Sequence, residues 1–169
     1  AIKDCNKAID IDPSIAIPYT NLCGAKSNLG ENKGALNDCN KALEIDPNLF
    51  TSHANRCSVK INLGNNKGAI KDCSKAIDID PSIAIPYSRL CVAKSNLGDY
   101  KGALKDCNKA LEIDPTYAIA YTNRCSIKFN LGDYKGALDD CNKALGINPE
   151  IAIAYTNRCG AKLNLGNNK

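Results

Sequence analysis

The opening of the chain carries one clear apolar stripe. Ala1, Ile2, Cys5, Ala8 and Ile9 fall at i, i+1, i+4, i+7 and i+8, the spacing of one face of an amphipathic helix. Pro13 closes that helix, because a proline ring can neither donate a backbone hydrogen bond nor continue the spiral. Ser14 is the expected N-cap of the next helix, which runs to about Leu29. Pro18 lies in its first turn, where a missing N–H costs least. Gly30 breaks the chain again, and Glu31 is placed to cap the helix that follows, as are Asp99 and Asp133 later on. The same punctuation returns at Pro47, Pro81, Pro115 and Pro149, and at Gly64, Gly98, Gly132 and Gly166. It predicts ten helices joined by loops short enough to make neighbours antiparallel.

The repeat distance is 34 residues, with Gly98–Leu131 as its plainest unit. A strict period of about that length marks a stack of helix–turn–helix units. Whole repeats fall at 16–49, 50–83, 84–117 and 118–151, with half repeats at 1–15 and 152–169. A longer period overlies this one, since residues 1–19 and 69–87 differ solely at Asn6 and Ser74. The second repeat departs most, reading LFTSHANR where its neighbours read IAIPY or YAIAY. The chain starts half-way through a repeat and stops at Asn167-Asn168-Lys169, where a further helix should begin. It reads as part of a longer array.

The unit resembles the tetratricopeptide repeat along all 169 residues. Tyr19 stands at the usual aromatic of the first helix, Leu22 follows in the core, and Gly30 sits at the turn. Ala35 and Ala42 occupy the small sites where helices touch, and Pro47 is the closing proline. The resemblance implies an all-α, right-handed superhelix, a solenoid of antiparallel helix pairs whose first helices line a concave groove. It also implies a groove that takes extended or helical peptide segments of partner proteins, although a fold alone does not name the ligand. Departures are regular too. Cys23 and its equivalents replace a usual Gly, Cys39 and its equivalents a large aromatic, and Lys26, Lys60, Lys94, Lys128 and Lys162 another aromatic.

Composition modifies this picture in a few places. Without Trp or Met, and with aromatics at 5%, the cores must be built from Ala, Leu, Ile and Cys. A net charge of +4 on interleaved Lys and Asp argues against a nucleic-acid stripe. No apolar run reaches the length of a membrane span, and a cytoplasmic placement is expected. Asp4/Lys7, Asp38/Lys41, Asp72/Lys75, Asp106/Lys109 and Asp140/Lys143 are expected to form a solvated outer face with weak i, i+3 pairs. The first-helix lysines are expected to lay their stems on apolar neighbours and carry their ammonium groups to water.

The ten cysteines alternate at separations of 18 and 16. With neither a C-x-x-C pair nor a second histidine beside His53, metal ligation is not expected. They are expected to be reduced, buried thiols acting as small hydrophobes. A disulfide alternative is open: pairing at 18 (Cys5–Cys23, Cys39–Cys57, Cys73–Cys91, Cys107–Cys125 and Cys141–Cys159) uses all ten, whereas pairing at 16 strands Cys5 and Cys159. His53 replaces a tyrosine and is expected to be a packed side chain, without a carboxylate or nucleophile to partner it. No catalytic constellation or cofactor motif is visible, and no enzyme activity is expected.

Asparagine carries the functional reading. Asn21, Asn55, Asn123 and Asn157 recur at one point of the first helix, with Arg89 as the exception. Asn28, Asn62, Asn96, Asn130 and Asn164 follow seven residues later, about two helical turns on, and read as polar filler. The first column lies on the face that the resemblance assigns to the groove. A carboxamide donates and accepts, which suits the backbone of an extended peptide. Thr20, Thr122 and Thr156 beside it are further candidates. Family members that clamp a C-terminal carboxylate use lysines here; this chain has Thr20, Ala54, Ser88, Thr122 and Thr156 instead, and Arg89 alone matches. The expected partner is therefore a protein or peptide. The rival expectation is a spacer that assembles head to tail through its terminal helices.

Overall fold

The computed structural model describes residues 1–166, and every regular element among them is helical. The ten helices are α1 (Ile2–Ile11), α2 (Ala16–Asn28), α3 (Asn32–Ile45), α4 (Phe50–Asn62), α5 (Asn66–Ile79), α6 (Ala84–Asn96), α7 (Tyr100–Ile113), α8 (Ala118–Asn130), α9 (Tyr134–Ile147) and α10 (Ala152–Asn164). The helix start expected at Asn167–Lys169 lies outside the described residues. None of the described helices is long and apolar enough to cross a membrane.

The chain divides into two compact units, Ala1–Pro81 and the part from Ser82 onward. In the first, α1 packs on α2, α2 pairs with α3, α4 with α5, and the first helices α2 and α4 touch. In the second, α6 pairs with α7 and α8 with α9, α10 packs on α9, and α8 touches both α6 and α10. Each unit is thus a stack of helix hairpins whose even-numbered helices form one layer.

Local sequence explains the hairpins. Each short turn needs one residue in the left-handed region, and Gly98, at φ 81°, supplies it without the cost that a Cβ brings. Asp99 and Asp133 then cap α7 and α9 by accepting from the amides of Gly102 and Gly136, and Asn65 does the same for α5 from Gly68. Glu31 makes no such bond. Ser14 does not cap α2 either; its amide and hydroxyl both turn back to Asp12 Oδ1, and the N-cap is Ile15.

The core repeats as well. Cys23, Ala35, Cys39 and Val59 form one buried cluster, and Cys91, Ala103, Cys107 and Ile127 form its equivalent. The cysteines are not reduced thiols here. Four disulfides join Cys23–Cys39, Cys57–Cys73, Cys91–Cys107 and Cys125–Cys141, all at separation 16, and Cys5 and Cys159 are free. Both the reduced expectation and the pairing at 18 are overturned. A separation of 16 joins the two helices of one hairpin, where the Cα atoms stand 5.2–5.5 Å apart. That lies inside the range a disulfide spans.

The aspartates also behave differently from the solvated face expected of them. Asp72, Asp106 and Asp140 are buried, and each meets the lysine twelve residues earlier on the first helix of its own hairpin. The Nζ–O distances are 2.7 Å for Lys60–Asp72, 2.7 Å for Lys94–Asp106 and 2.8 Å for Lys128–Asp140, with Lys26–Asp38 at 2.8 Å. Those lysines end on carboxylates and not in water. The i, i+3 pairs that do form, Lys41–Glu44 and Lys109–Glu112, use a different acid. Arg56 adds a bidentate grip on Asp72, at 3.0 and 2.6 Å, and Arg124 does so on Asp140 at 2.8 and 2.6 Å. Leu90 stands where those arginines would be, so Asp106 has the lysine alone.

Candidate functional site

The inward positions of α6, α8 and α10 build the clearest concave site. A concavity of about 290 Å³ is lined by Val92, Ser95 and Asn96 of α6, by Asn123, Ser126, Ile127 and Asn130 of α8, and by Ile153 of α10. None of these side chains is charged. Asn96 and Asn130 belong to the second asparagine column, so residues expected to be filler help to line the site.

The first column is held in a defined orientation. Asn157 Nδ2 donates to Ser126 Oγ at 2.6 Å, and that hydroxyl donates to the Thr122 carbonyl at 3.0 Å. Asn123 Nδ2 donates to Ser88 Oγ at 3.1 Å. In the first unit, Asn55 Nδ2 meets the Thr20 carbonyl at 3.4 Å, and a Cβ on Gly24 would stand 3.3 Å from that nitrogen. Each asparagine therefore reaches back to the preceding first helix of its unit and spends an N–H there. Its carboxamide oxygen keeps the capacity to accept. Asn21 is exposed on α2.

The threonines divide. Thr20 and Thr122 are buried and donate to the carbonyls of Ala16 and Ala118, and Thr20 also meets Ser52 Oγ at 2.6 Å. The Thr20 contact joins α2 to α4, and Thr122 is outside the lining of the concavity. Thr156 is exposed, its hydroxyl on the Ala152 carbonyl. Arg89 is half-buried on α6, outside the lining of the concavity. It acts electrostatically on Tyr117, whose hydroxyl is pushed above its ordinary pKa by burial, against the opposing influences of Arg89 and Ser88. Ile85, Ile119 and Ile153 stand exposed near the starts of their helices and add an apolar edge.

A second concavity, of about 370 Å³, opens between α3 and α4 beside His53, Arg56 and Asn40. His53 is buried and its Nε2 meets the Pro47 carbonyl at 2.9 Å, as Tyr19 Oη meets the Pro13 carbonyl at 3.4 Å. Contrary to expectation a carboxylate is close, Asp72 Oδ1 at 3.5 Å from Nδ1. Burial pushes the Asp72 carboxyl up, but hydrogen bonds from Arg56 and Lys60 outweigh it and hold the group below its ordinary pKa. The elements that sequence reasoning missed here are Arg56 and Asp72. Their separation of 16, the same as that of the cysteines next to them, was the available signal.

Profiles of the tetratricopeptide repeat match residues 19–49, 52–83, 84–117 and 118–151, most of the chain. The chain belongs to the tetratricopeptide repeat family. Repeats of this family imply a scaffold for contacts between proteins. Among solved structures, the APC/C hetero-tetramer Cut9–Hcn1 has a TM-score of 0.89 at 16% identity, covering 96% of this chain and 32% of that one. TTC0263, a thermophilic protein of Thermus thermophilus, gives 0.81 at 17%, covering 96% and 89%. YrrB, described as a tetratricopeptide repeat protein with an unusual peptide-binding site, gives 0.73 at 24%, covering 100% and 87%. At these identities the likeness is one of fold. No curated protein matches the chain significantly.

Proposed function

We propose that the chain is a non-enzymatic scaffold that holds an extended peptide segment of a partner protein, chiefly through its backbone, in the concavity lined by α6, α8 and α10. The observation that carries this reading is the relay Asn157 Nδ2 to Ser126 Oγ to Thr122 carbonyl, which fixes the amide through its N–H and leaves its oxygen for a ligand. Asn123, fixed on Ser88, repeats the arrangement beside an uncharged concavity. Such a site offers hydrogen-bond acceptors to backbone N–H groups, and Val92, Ile127 and Ile153 offer apolar contact. The peptide-binding site described for YrrB, a protein of the same fold, supports the reading. Within the second unit Thr156 and Arg89 extend it, Arg89 as the one charged anchor for an acidic group, and Asn21 and Asn55 are separate candidates in the first unit.

The test is a titration with uncharged extended peptides at low and high salt. Each neutral hydrogen bond contributes about 0.5–1.5 kcal/mol, so Asn123→Ala should weaken binding several-fold, and methylating the backbone nitrogens of the peptide should do the same. Salt should matter little, because no cluster of charges is engaged. Unchanged affinity in Asn123→Ala, or binding abolished by salt, would sink the reading.

The four disulfides support an oxidising compartment over the cytoplasmic placement expected from sequence.

A further inference from the structure

The concavity of the second unit is built from rows of side chains that advance one step per first helix. An isoleucine is the second residue of each, Ile85 on α6, Ile119 on α8 and Ile153 on α10. Ile85 and Ile119 are 46% and 43% exposed, and Ile153 lines the concavity. Four residues on, about 6 Å along the helix axis, stands the asparagine row. It holds Asn123 on α8 and Asn157 on α10, with Arg89 at that place on α6. Asn123 donates to Ser88 of α6 and Asn157 to Ser126 of α8, so the carboxamides mark successive helix junctions. Their oxygens keep the capacity to accept. α8 touches both α6 and α10. Packed helices stand about 8–10 Å apart. A segment that crosses the layer therefore meets one isoleucine per helix and one carboxamide per junction, each row at about that pitch.

That pitch selects among backbone conformations. In a β-strand the side chains return to one face every second residue, about 6.6 Å on, and the residue three on points the other way. An α-helical segment spends its N–H groups on its own carbonyls and keeps none for the asparagines. A polyproline II helix has three residues per turn and rises about 3.1 Å per residue, so one face returns after about 9.3 Å. Its backbone N–H groups make no internal bonds and stay available. We propose, resting on the scaffold reading above, that the partner segment crosses α6, α8 and α10 as a polyproline II helix with an aliphatic side chain at every third residue. Those side chains meet Ile85, Ile119 and Ile153, one per helix. In each triplet one residue donates its N–H to a carboxamide oxygen. Proline, which has no N–H to give, fits where no donation is made.

The experiment titrates the 169-residue chain, internal disulfides intact, with a synthetic peptide of four Leu-Ser-Pro triplets, read by calorimetry. This peptide should bind several-fold more tightly than an isomer of the same composition whose leucines stand at alternate positions. Methylating all its leucine amides and, separately, all its serine amides should give unequal results, a several-fold loss for one set and no change for the other. Asn123→Ala should shrink that difference, because one acceptor is gone. Ile119→Ser, a change at an exposed position, should weaken the triplet peptide several-fold and the isomer little. Equal or tighter binding of the isomer, equal losses for the two methylated peptides, or unchanged affinity in Ile119→Ser would overturn the three-residue pitch while leaving the scaffold reading standing. Binding of neither peptide would overturn both.

Discussion

Asp72 and Asp106 stand in equivalent places with carboxyl pKa values pushed in opposite directions, and the cations beside them differ by one arginine. Burial raises both carboxyls; Arg56 and Lys60 overcome it at Asp72, whereas at Asp106 Lys94 alone does not, and the group stays above its ordinary value. A depressed folded pKa makes Asp72 a source of stability above the ordinary carboxylate range, lost as pH falls through the folded value. A raised one makes the ionised Asp106 a cost at neutral pH; its relative contribution is full in acid and fades as pH rises through that value. Asp72→Asn should therefore cost about 1–3 kcal/mol at neutral pH, the usual worth of hydrogen bonds to charged groups, and flatten the acid limb of the stability curve. Asp106→Asn should leave the neutral-pH midpoint unchanged or raise it. Denaturant melts across pH decide this; equal losses in the two variants would show that the missing arginine is not the cause. This pair also marks the limit of the sequence at residue scale. Asparagine periodicity put Asn123 in a column on one helix face, and the family resemblance assigned that face to the groove; the bond from Asn123 to Ser88 is a contact between neighbouring hairpins that no single repeat reveals. Thr20 and Thr122 share that periodicity and are buried, with their hydroxyls on the carbonyls four residues back, whereas Thr156 makes the same bond and is exposed, so burial by neighbouring helices and not the bond separates them.

At the scale of the helix and hairpin the sequence was far more legible. Proline, glycine and the apolar stripe act within a few residues, so they led to ten expected helices, the number found among the described residues, and the second, expected to run to about Leu29, ends at Asn28. Whether two cysteines bond depends instead on which helices face each other. Using every thiol favoured 18, yet hairpin geometry selects 16 and strands Cys5 and Cys159. The disulfide within a hairpin limits how far its two helices separate in the unfolded chain. For a closed loop of this size the chain-entropy estimate is about 3 kcal/mol, with typical values of about 2–4. Cys57→Ala with Cys73→Ala should lower stability by an amount in that range, and reductant should lower the wild-type melt through all four sites. A wild-type melt indifferent to reductant, with ten titratable thiols in denaturant, would show that the pairs do not form.

Across the whole chain, stability should follow the number of contiguous hairpins and not a single central core. Within each unit the buried clusters join a hairpin to its immediate neighbour, as Cys91, Ala103 and Cys107 do with Ile127 of the next first helix. A nearest-neighbour stack of this kind loses one interface with each hairpin removed, and each loss is of similar size. Residues 84–151 retain two hairpins with Cys91–Cys107 and Cys125–Cys141, so the fragment should keep its helicity and both internal disulfides. It loses the contact of α10 with α8 and α9, where Ala154 and Ala161 are buried against the end of the stack and Phe129 lies over Gly160. Its unfolding midpoint should accordingly fall below that of the full chain under oxidising conditions, and reductant should lower it further, because each hairpin then loses its covalent closure as well. Circular dichroism during denaturant unfolding measures both steps. A fragment that melts where the full chain melts would mean that the outer hairpins add no interface energy, and the one-dimensional account would be wrong.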